Sequence, residues 1–142
     1  MTDVEATLWG TVIGGFIGVI GTYFGAMKIA KRQRFIDTGL RLREAFQEEL
    51  AILQVSEDCD AVAHLTSAFK KHFIAISEFR YVLPSCKLNS FDEAWRNYHC
   101  TSEPPYIHLL EQYDTRSGSG EQQNKNRELA IQRIRHILSF TE

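Results

Sequence analysis

The feature that most constrains this chain is a run of twenty residues without a charge, LWGTVIGGFIGVIGTYFGAM, from Leu8 to Met27. As a helix rising about 1.5 Å per residue it reaches roughly the 30 Å thickness of a bilayer's hydrocarbon core. A soluble protein built around so apolar a helix would need more surrounding core than the rest of a 142-residue chain supplies. The flanking charges give the run a direction. Asp3 and Glu5 precede it, whereas Lys28, Lys31, Arg32 and Arg34 follow it. Because basic residues stay on the cytoplasmic side, the expected topology has residues 1–7 outside, 8–27 across the membrane, 28–34 as a basic juxtamembrane segment and 35–142 in the cytoplasm. A cleaved signal peptide would carry the opposite charge order.

Six of the nine glycines fall inside this run, at Gly10, Gly14, Gly15, Gly18, Gly21 and Gly25. Gly10, Gly14, Gly18, Gly21 and Gly25 are separated by steps of three and four, which keeps them on one stripe of a helix and leaves a groove that a second backbone can approach closely. The stripe points to association with another copy or with another membrane protein, the lipid bilayer being the first partner. No Asp, Glu, Lys, Arg or His interrupts the run, which argues against a proton relay or ion site within the membrane. The four basic residues after it are in the first instance a topology signal, with anionic lipid as a further ligand.

The formal charge of -2 hides a split: all 16 basic residues, and all but two of the 18 acidic ones, lie from Lys28 onward. That part is therefore balanced, and it lacks the clustered cationic face that nucleic-acid binding requires. The three cysteines, Cys59, Cys86 and Cys100, show neither a CxxC pair nor regular spacing, so they read as thiols of a reducing compartment.

Beyond the anchor the apolar residues recur at helical spacing. Phe35, Leu42, Phe46, Leu50 and Leu53 define an amphipathic first helix that either continues from the membrane or breaks near residues 37–39, where Gly39 is the weak point. Ser56, Glu57, Asp58 and Asp60 then signal a helix start. A second helix is expected from Asp60 to Leu83, ended by Pro84, with Leu65, Phe69, Phe73, Ile76, Phe79 and Leu83 as its buried stripe. The sequence Ser90-Phe-Asp-Glu93 matches a capping box and predicts a short third helix from Phe91 to His99, presenting Phe91, Trp95 and Tyr98. A brief helical segment at 106–113, a flexible Gly- and Ser-containing loop over 114–124 and a last helix from Lys125 to Phe140 complete the pattern. Leu129, Ile131, Ile134, Ile137 and Leu138 supply the apolar stripe of that last helix. The fold class expected is all-α: one N-terminal transmembrane helix followed by a small antiparallel helical bundle.

No catalytic constellation emerges. The five histidines form no HExxH and no i, i+4 pair, and no glycine loop precedes Lys-Ser or Lys-Thr. Glu48 with Glu49, and Asp92 with Glu93, are neighbours in sequence and so diverge on a helix. A metal site assembled from Cys86, His99 and Cys100 is the remaining route to an enzyme. Arg80, beside Glu78 and ahead of Asp92, reads as an internal ion pair.

The glycine-rich anchor, its basic flank, the segment AFKKHFIAISEFR from Ala68 to Arg80 and the segment FDEAWRNY from Phe91 to Tyr98 together resemble a set of small uncharacterised bacterial single-pass inner-membrane proteins. The resemblance covers most of the chain, rests on helix and core positions, and implies an inner-membrane location without adding an activity. The expected function is thus that of a membrane-anchored, non-enzymatic interaction or scaffold protein that self-associates, with no cofactor and no small-molecule substrate indicated. The alternatives are an effector that oligomerises and permeabilises the inner membrane, and an enzyme with a Cys/His site.

Overall fold

The computed structural model describes residues 3–55, 60–100, 111–116 and 118–142, with side chains from residue 21 onward except at residue 111. Four α-helices and one short 3-10 turn make up the described elements: α1 Asp3–Val55, α2 Ala61–Val82, α3 Ser85–His99, the turn Glu111–Tyr113, and α4 Gly120–Ser139. The chain divides into two compact units, Met1–Arg34 and Phe35–Glu142.

Among the described residues no helix is long and apolar enough to cross a membrane. Most of the expected span, including Gly10, Gly14 and Gly18, lies outside the residues whose side chains are described. Within the first unit, every described side chain from Gly21 to Arg34 is exposed, among them Lys28, Lys31, Arg32 and Arg34. Tyr23, Phe24 and Ile29 present large apolar surface there.

The second unit is a bundle whose register can be read from side-chain pairs. Phe35 meets Phe79, Phe46 stacks on His72, and Arg41 pairs with Glu78, so rising numbers on α1 meet falling numbers on α2. The same reversal relates α2 to α3, through Phe79 with Phe91 and His72 with Tyr98, and α3 to α4, through Phe91 with Phe140 and Asn97 with Arg133. Consecutive helices therefore run antiparallel, as the short connections from α1 to α2 and from α2 to α3 lead one to expect. Their inner faces bury Leu42, Phe46 and Leu53 of α1, Leu65, Ile76 and Phe79 of α2, Phe91 and Tyr98 of α3, and Ile134 and Ile137 of α4. Each such large side chain contributes about 1.5–3 kcal/mol on removal from water.

Local chemistry sets the ends. Asp60 caps α2 by accepting a hydrogen bond from the Ala63 amide at 3.1 Å. Ser119 caps α4, its hydroxyl accepting from the Gln122 amide. Residues 56–59, which carry the rest of the expected start signal for α2, lie outside the described residues, as do 101–110.

Three expectations need correction. The third helix begins at Ser85, directly after Pro84, and not at Phe91, so Ser90 lies inside the helix and its capping box does not form. Pro84 stops α2 and at the same time serves as the N-cap residue of α3, and the added first turns bring Leu88 against the core. The fourth helix begins at Gly120 and takes in residues assigned by their polarity to a loop. On α2 the buried stripe passes through Ala68, His72 and Ala75, whereas Phe73 is 52% exposed and Phe69 is half-buried. Phe69 instead stacks on Trp95 along the outer edge of the α2–α3 seam. The stretch at 37–39, by contrast, carries no break. α1 is helical throughout, and Gly39 is buried where a β-carbon would lie 3.4 Å from Thr141 and 3.6 Å from Phe79.

Candidate functional site

The most unusual chemistry in the bundle is a row of polar side chains sealed inside it. On α1 the apolar positions Leu42, Phe46 and Leu53 belong to a stripe whose next member is Glu49, only 5% exposed. On α2 the stripe from Leu65 to Phe79 passes through His72, which has no solvent exposure. Antiparallel pairing of the two helices puts these interruptions opposite each other, with His72 Nε2 3.3 Å from Glu49 Oε2. Phe46 lies flat against the imidazole, the ring centroids 3.9 Å apart and the planes 8° from parallel. From α3, the buried Tyr98 hydroxyl reaches His72 Nδ1 at 3.0 Å.

The hydrogen-bond roles follow from what each group can donate. A carboxylate only accepts, so the ring proton belongs on Nε2, facing Glu49, and Nδ1 accepts from the Tyr98 hydroxyl. The Nε2 to Oε2 approach is close but poorly aligned, and neither atom makes a hydrogen bond among the described residues. With the ring neutral, the tie at that joint is the Nε2–H dipole facing the carboxylate, which is weaker than an aligned hydrogen bond. The other carboxylate oxygen, Oε1, accepts from Lys71 Nζ at 2.9 Å, and the same ammonium reaches Glu48 Oε2 at 3.4 Å. Lys71 thus neutralises Glu49, and its half-exposed side chain carries the charge to the bundle surface.

Burial pushes the Glu49 carboxyl upward, but the Lys71 hydrogen bond, its own backbone amide and His72 outweigh it and hold the group below its usual value. Burial likewise dominates at His72 and keeps it below the ordinary histidine value, against the pull of the Glu49 carboxylate and the Ala45 carbonyl. Lys71 is held above the usual lysine range by its hydrogen bond to Glu49. Near neutral pH the cluster therefore contains a carboxylate, an ammonium and a neutral imidazole. Burial also raises Tyr98, which stays protonated as the hydroxyl donor.

A second layer fixes Tyr98 from behind. The Tyr113 hydroxyl donates to the Tyr98 carbonyl at 2.7 Å, and Gln112 donates to the carbonyls of Asn97 and Tyr98. Arg133 of α4 donates to the Asn97 carbonyl and, at 2.7 Å, to the Gln112 side chain, while its guanidinium lies 6.0 Å from the centre of the Tyr113 ring. Burial pushes Tyr113 up to about 12, with Arg133 opposing. One polar chain thus links α1, α2, α3, the 3-10 turn and α4.

A tyrosine, a histidine and a carboxylate in line have the composition of a proton relay, but grooves on the described surface, of about 380 Å³ beside Arg43, Leu50 and Leu138, about 360 Å³ beside Asp92 and Arg96 and about 430 Å³ beside Glu128 and Arg135, are not lined by Glu49, His72 or Tyr98. What the arrangement can do is hold helices in register and respond to protons.

The residues singled out in the sequence are distributed differently. A β-carbon at Gly21 or Gly25 would meet nothing within 4 Å, so the described part of the glycine stripe is open. Cys86 is exposed, Cys100 is half-buried, and Cys59 lies outside the described residues; no group of three metal-ligating side chains occurs among the described residues. His99 Nδ1 instead meets the Trp95 carbonyl at 2.6 Å. Arg80 forms a two-pronged pair with Asp92 at 2.7 and 2.8 Å, and Glu78 pairs with Arg41. Glu48 and Glu49, expected to diverge, converge on Lys71. Sequence reasoning missed Glu49, His72 and Lys71, although one signal was present: both buried polar residues interrupt an apolar stripe at core spacing. No known protein family, curated protein or solved structure matches the chain.

Proposed function

We propose that this chain is a membrane-anchored interaction protein without a catalytic centre, held in the bilayer by the segment from Leu8 to Met27 and associating there through its glycine stripe. The observation that carries the reading is the stripe itself: Gly10, Gly14, Gly18, Gly21 and Gly25 on one side of a run without charge, followed at once by Lys28, Lys31, Arg32 and Arg34. The open surroundings of Gly21 and Gly25 and the exposed Tyr23 and Phe24 agree with a helix that expects lipid and a second helix for neighbours. The bundle from Phe35 to Glu142 is then the cytoplasmic body that the anchor gathers at the inner leaflet of a bacterial plasma membrane. Partners in this reading are the bilayer and either a second copy or another membrane protein.

The test is cross-linking in cells of the full-length chain at native expression, compared with a Gly14→Leu, Gly18→Leu double substitution. The reading expects membrane-fraction recovery in both cases and loss of the cross-linked species in the variant. A chain recovered from the soluble fraction removes the anchor, and cross-linking unchanged by two leucines removes the stripe.

A further inference from the structure

We propose that Glu49, Lys71, His72 and Tyr98 form a proton-sensitive latch, which holds α2 against α1 while His72 is neutral and releases it when the ring takes up a proton. The inference is independent of the membrane reading, because it rests on the bundle alone.

The geometry leaves the imidazole no comfortable charged state. His72 is completely enclosed, and its face lies against Phe46 at 3.9 Å. In the neutral ring Nδ1 accepts from the Tyr98 hydroxyl. A proton added at Nδ1 converts that acceptor into a donor, so two donors confront each other across 3.0 Å. Tyr98 must then turn its hydroxyl to accept, and its own proton is left without a partner in a site that water does not reach. The other groups around the ring offer limited relief. From α1, the Glu49 carboxylate is attractive but poorly aligned, and its charge is already shared with Lys71 of α2; exposed Glu48 faces Lys71 and not the ring. From the far side of Tyr98 stand Tyr113 of the 3-10 turn and Arg133 of α4, the latter a further cation.

The joint is also incompletely satisfied before any proton arrives. Among the described residues Glu49 Oε2 and His72 Nε2 are both buried without a hydrogen bond, and buried polar atoms in that condition are rare in folded proteins. A proton on Glu49 removes the carboxylate that Lys71 and the ring N–H face, and a proton on His72 adds a second cation beside Lys71 with a single buried carboxylate between the two. Parting of α1 from α2 lets water reach both groups, and it uncovers the apolar faces around Phe46 and Leu65 that the seam now hides. Acidification thereby converts a closed bundle into one with a newly available apolar surface.

Hydrogen–deuterium exchange of the full chain in lipid nanodiscs, corrected for intrinsic rates between pH 5 and 8, tests this directly. One proton taken up on opening raises the local opening constant over residues 42–53 and 65–79 by up to about tenfold for each pH unit below roughly 6.5. In His72→Phe, which keeps the stacking on Phe46, that slope disappears. An identical slope in His72→Phe, or flat exchange in the unmodified chain, overturns the latch. Should His72→Phe not fold, the His72 imidazole resonances of the unmodified chain decide: a ring neutral throughout the folded range supports the proposal, and one that protonates inside the folded bundle at an ordinary histidine pH refutes it.

Discussion

Replacing Tyr98 by Phe isolates one bond of the buried chain. The substitution removes the hydroxyl that reaches His72 Nδ1 at 3.0 Å and leaves the ring where it is. The aromatic contacts of that ring, stacked on Trp95 at 5.4 Å and edge-on to Phe46 at 5.6 Å, survive, so no cavity cost accompanies the loss. What is lost is the donor to a fully buried acceptor, and a buried acceptor left without a partner costs about 1–3 kcal/mol. His72→Phe alone leaves the Tyr98 hydroxyl stranded in the same way. The double variant strands neither atom at this bond, so the second substitution should cost at least about 1 kcal/mol less than it does alone. Urea unfolding of the full chain in mild detergent, followed through Trp95 fluorescence, measures all four corners of this cycle. A loss under about 0.5 kcal/mol for Tyr98→Phe, or strict additivity in the cycle, would falsify the assigned bond.

Other substitutions separate strong contacts from weak ones. Gly39→Ala should stabilise the bundle by up to about 1 kcal/mol, because the new methyl meets Thr141 at 3.4 Å, an ordinary contact, and helix propensity improves; a lower unfolding midpoint would show that the α1 surface has no room there. Arg133→Met takes the donor from the Gln112 side-chain oxygen and leaves the Asn97 carbonyl with the longer Gln112 bond, and should cost about 1 kcal/mol in the same urea experiment, whereas a neutral result would reduce these bonds to decoration. Arg80→Ala, despite its two-pronged geometry, lies at the surface and should leave the midpoint nearly unchanged, the more so in high salt. At alkaline pH, Tyr113, raised from 10 to about 12 by burial, favours the folded state fully below pH 10 and loses that contribution as pH climbs toward 12; absorbance at 295 nm should therefore show its ionisation coinciding with unfolding, and ionisation within a folded bundle would contradict its burial.

The apolar periodicity of α1, α2 and α4 was legible because it depends only on spacing along one helix. Leu42, Phe46, Leu65, Ile76, Phe79, Ile134 and Ile137 lie inside as their spacing requires. Errors arose where a residue's fate depended on another helix. Ser90 and Glu93 have the form of a capping box, but Leu88 gains core contact by lengthening α3 back to Pro84, and packing outweighs a cap whose typical worth is about 1 kcal/mol. Phe73, apolar by type, lies off the buried face of α2, which runs through His72, Ala75, Ile76 and Phe79 and is set by what Phe46 and Tyr98 of the neighbouring helices pack against.

The buried polar cluster shows the limit most sharply. Glu49 and His72 each occupy a core position of their own helix, and taken singly each looks like a defect in the pattern. Only the antiparallel register of α1 against α2, set by Phe35 on Phe79 at one end and Lys71 between Glu48 and Glu49 at the other, turns two defects into a pair. A register slipped by one helical turn would bury the carboxylate against apolar side chains, at a cost of several kcal/mol. The cluster therefore penalises alternative packings of the same apolar faces. Glu49→Leu combined with His72→Leu and Tyr98→Phe, which leaves no buried member of the row without its partner, should accordingly raise the unfolding midpoint or leave it unchanged, while broadening the amide resonances of α1 and α2 as more than one packing becomes populated. Sharp, single resonances in that triple variant would assign register to the apolar residues alone and leave the polar row with proton response as its remaining role.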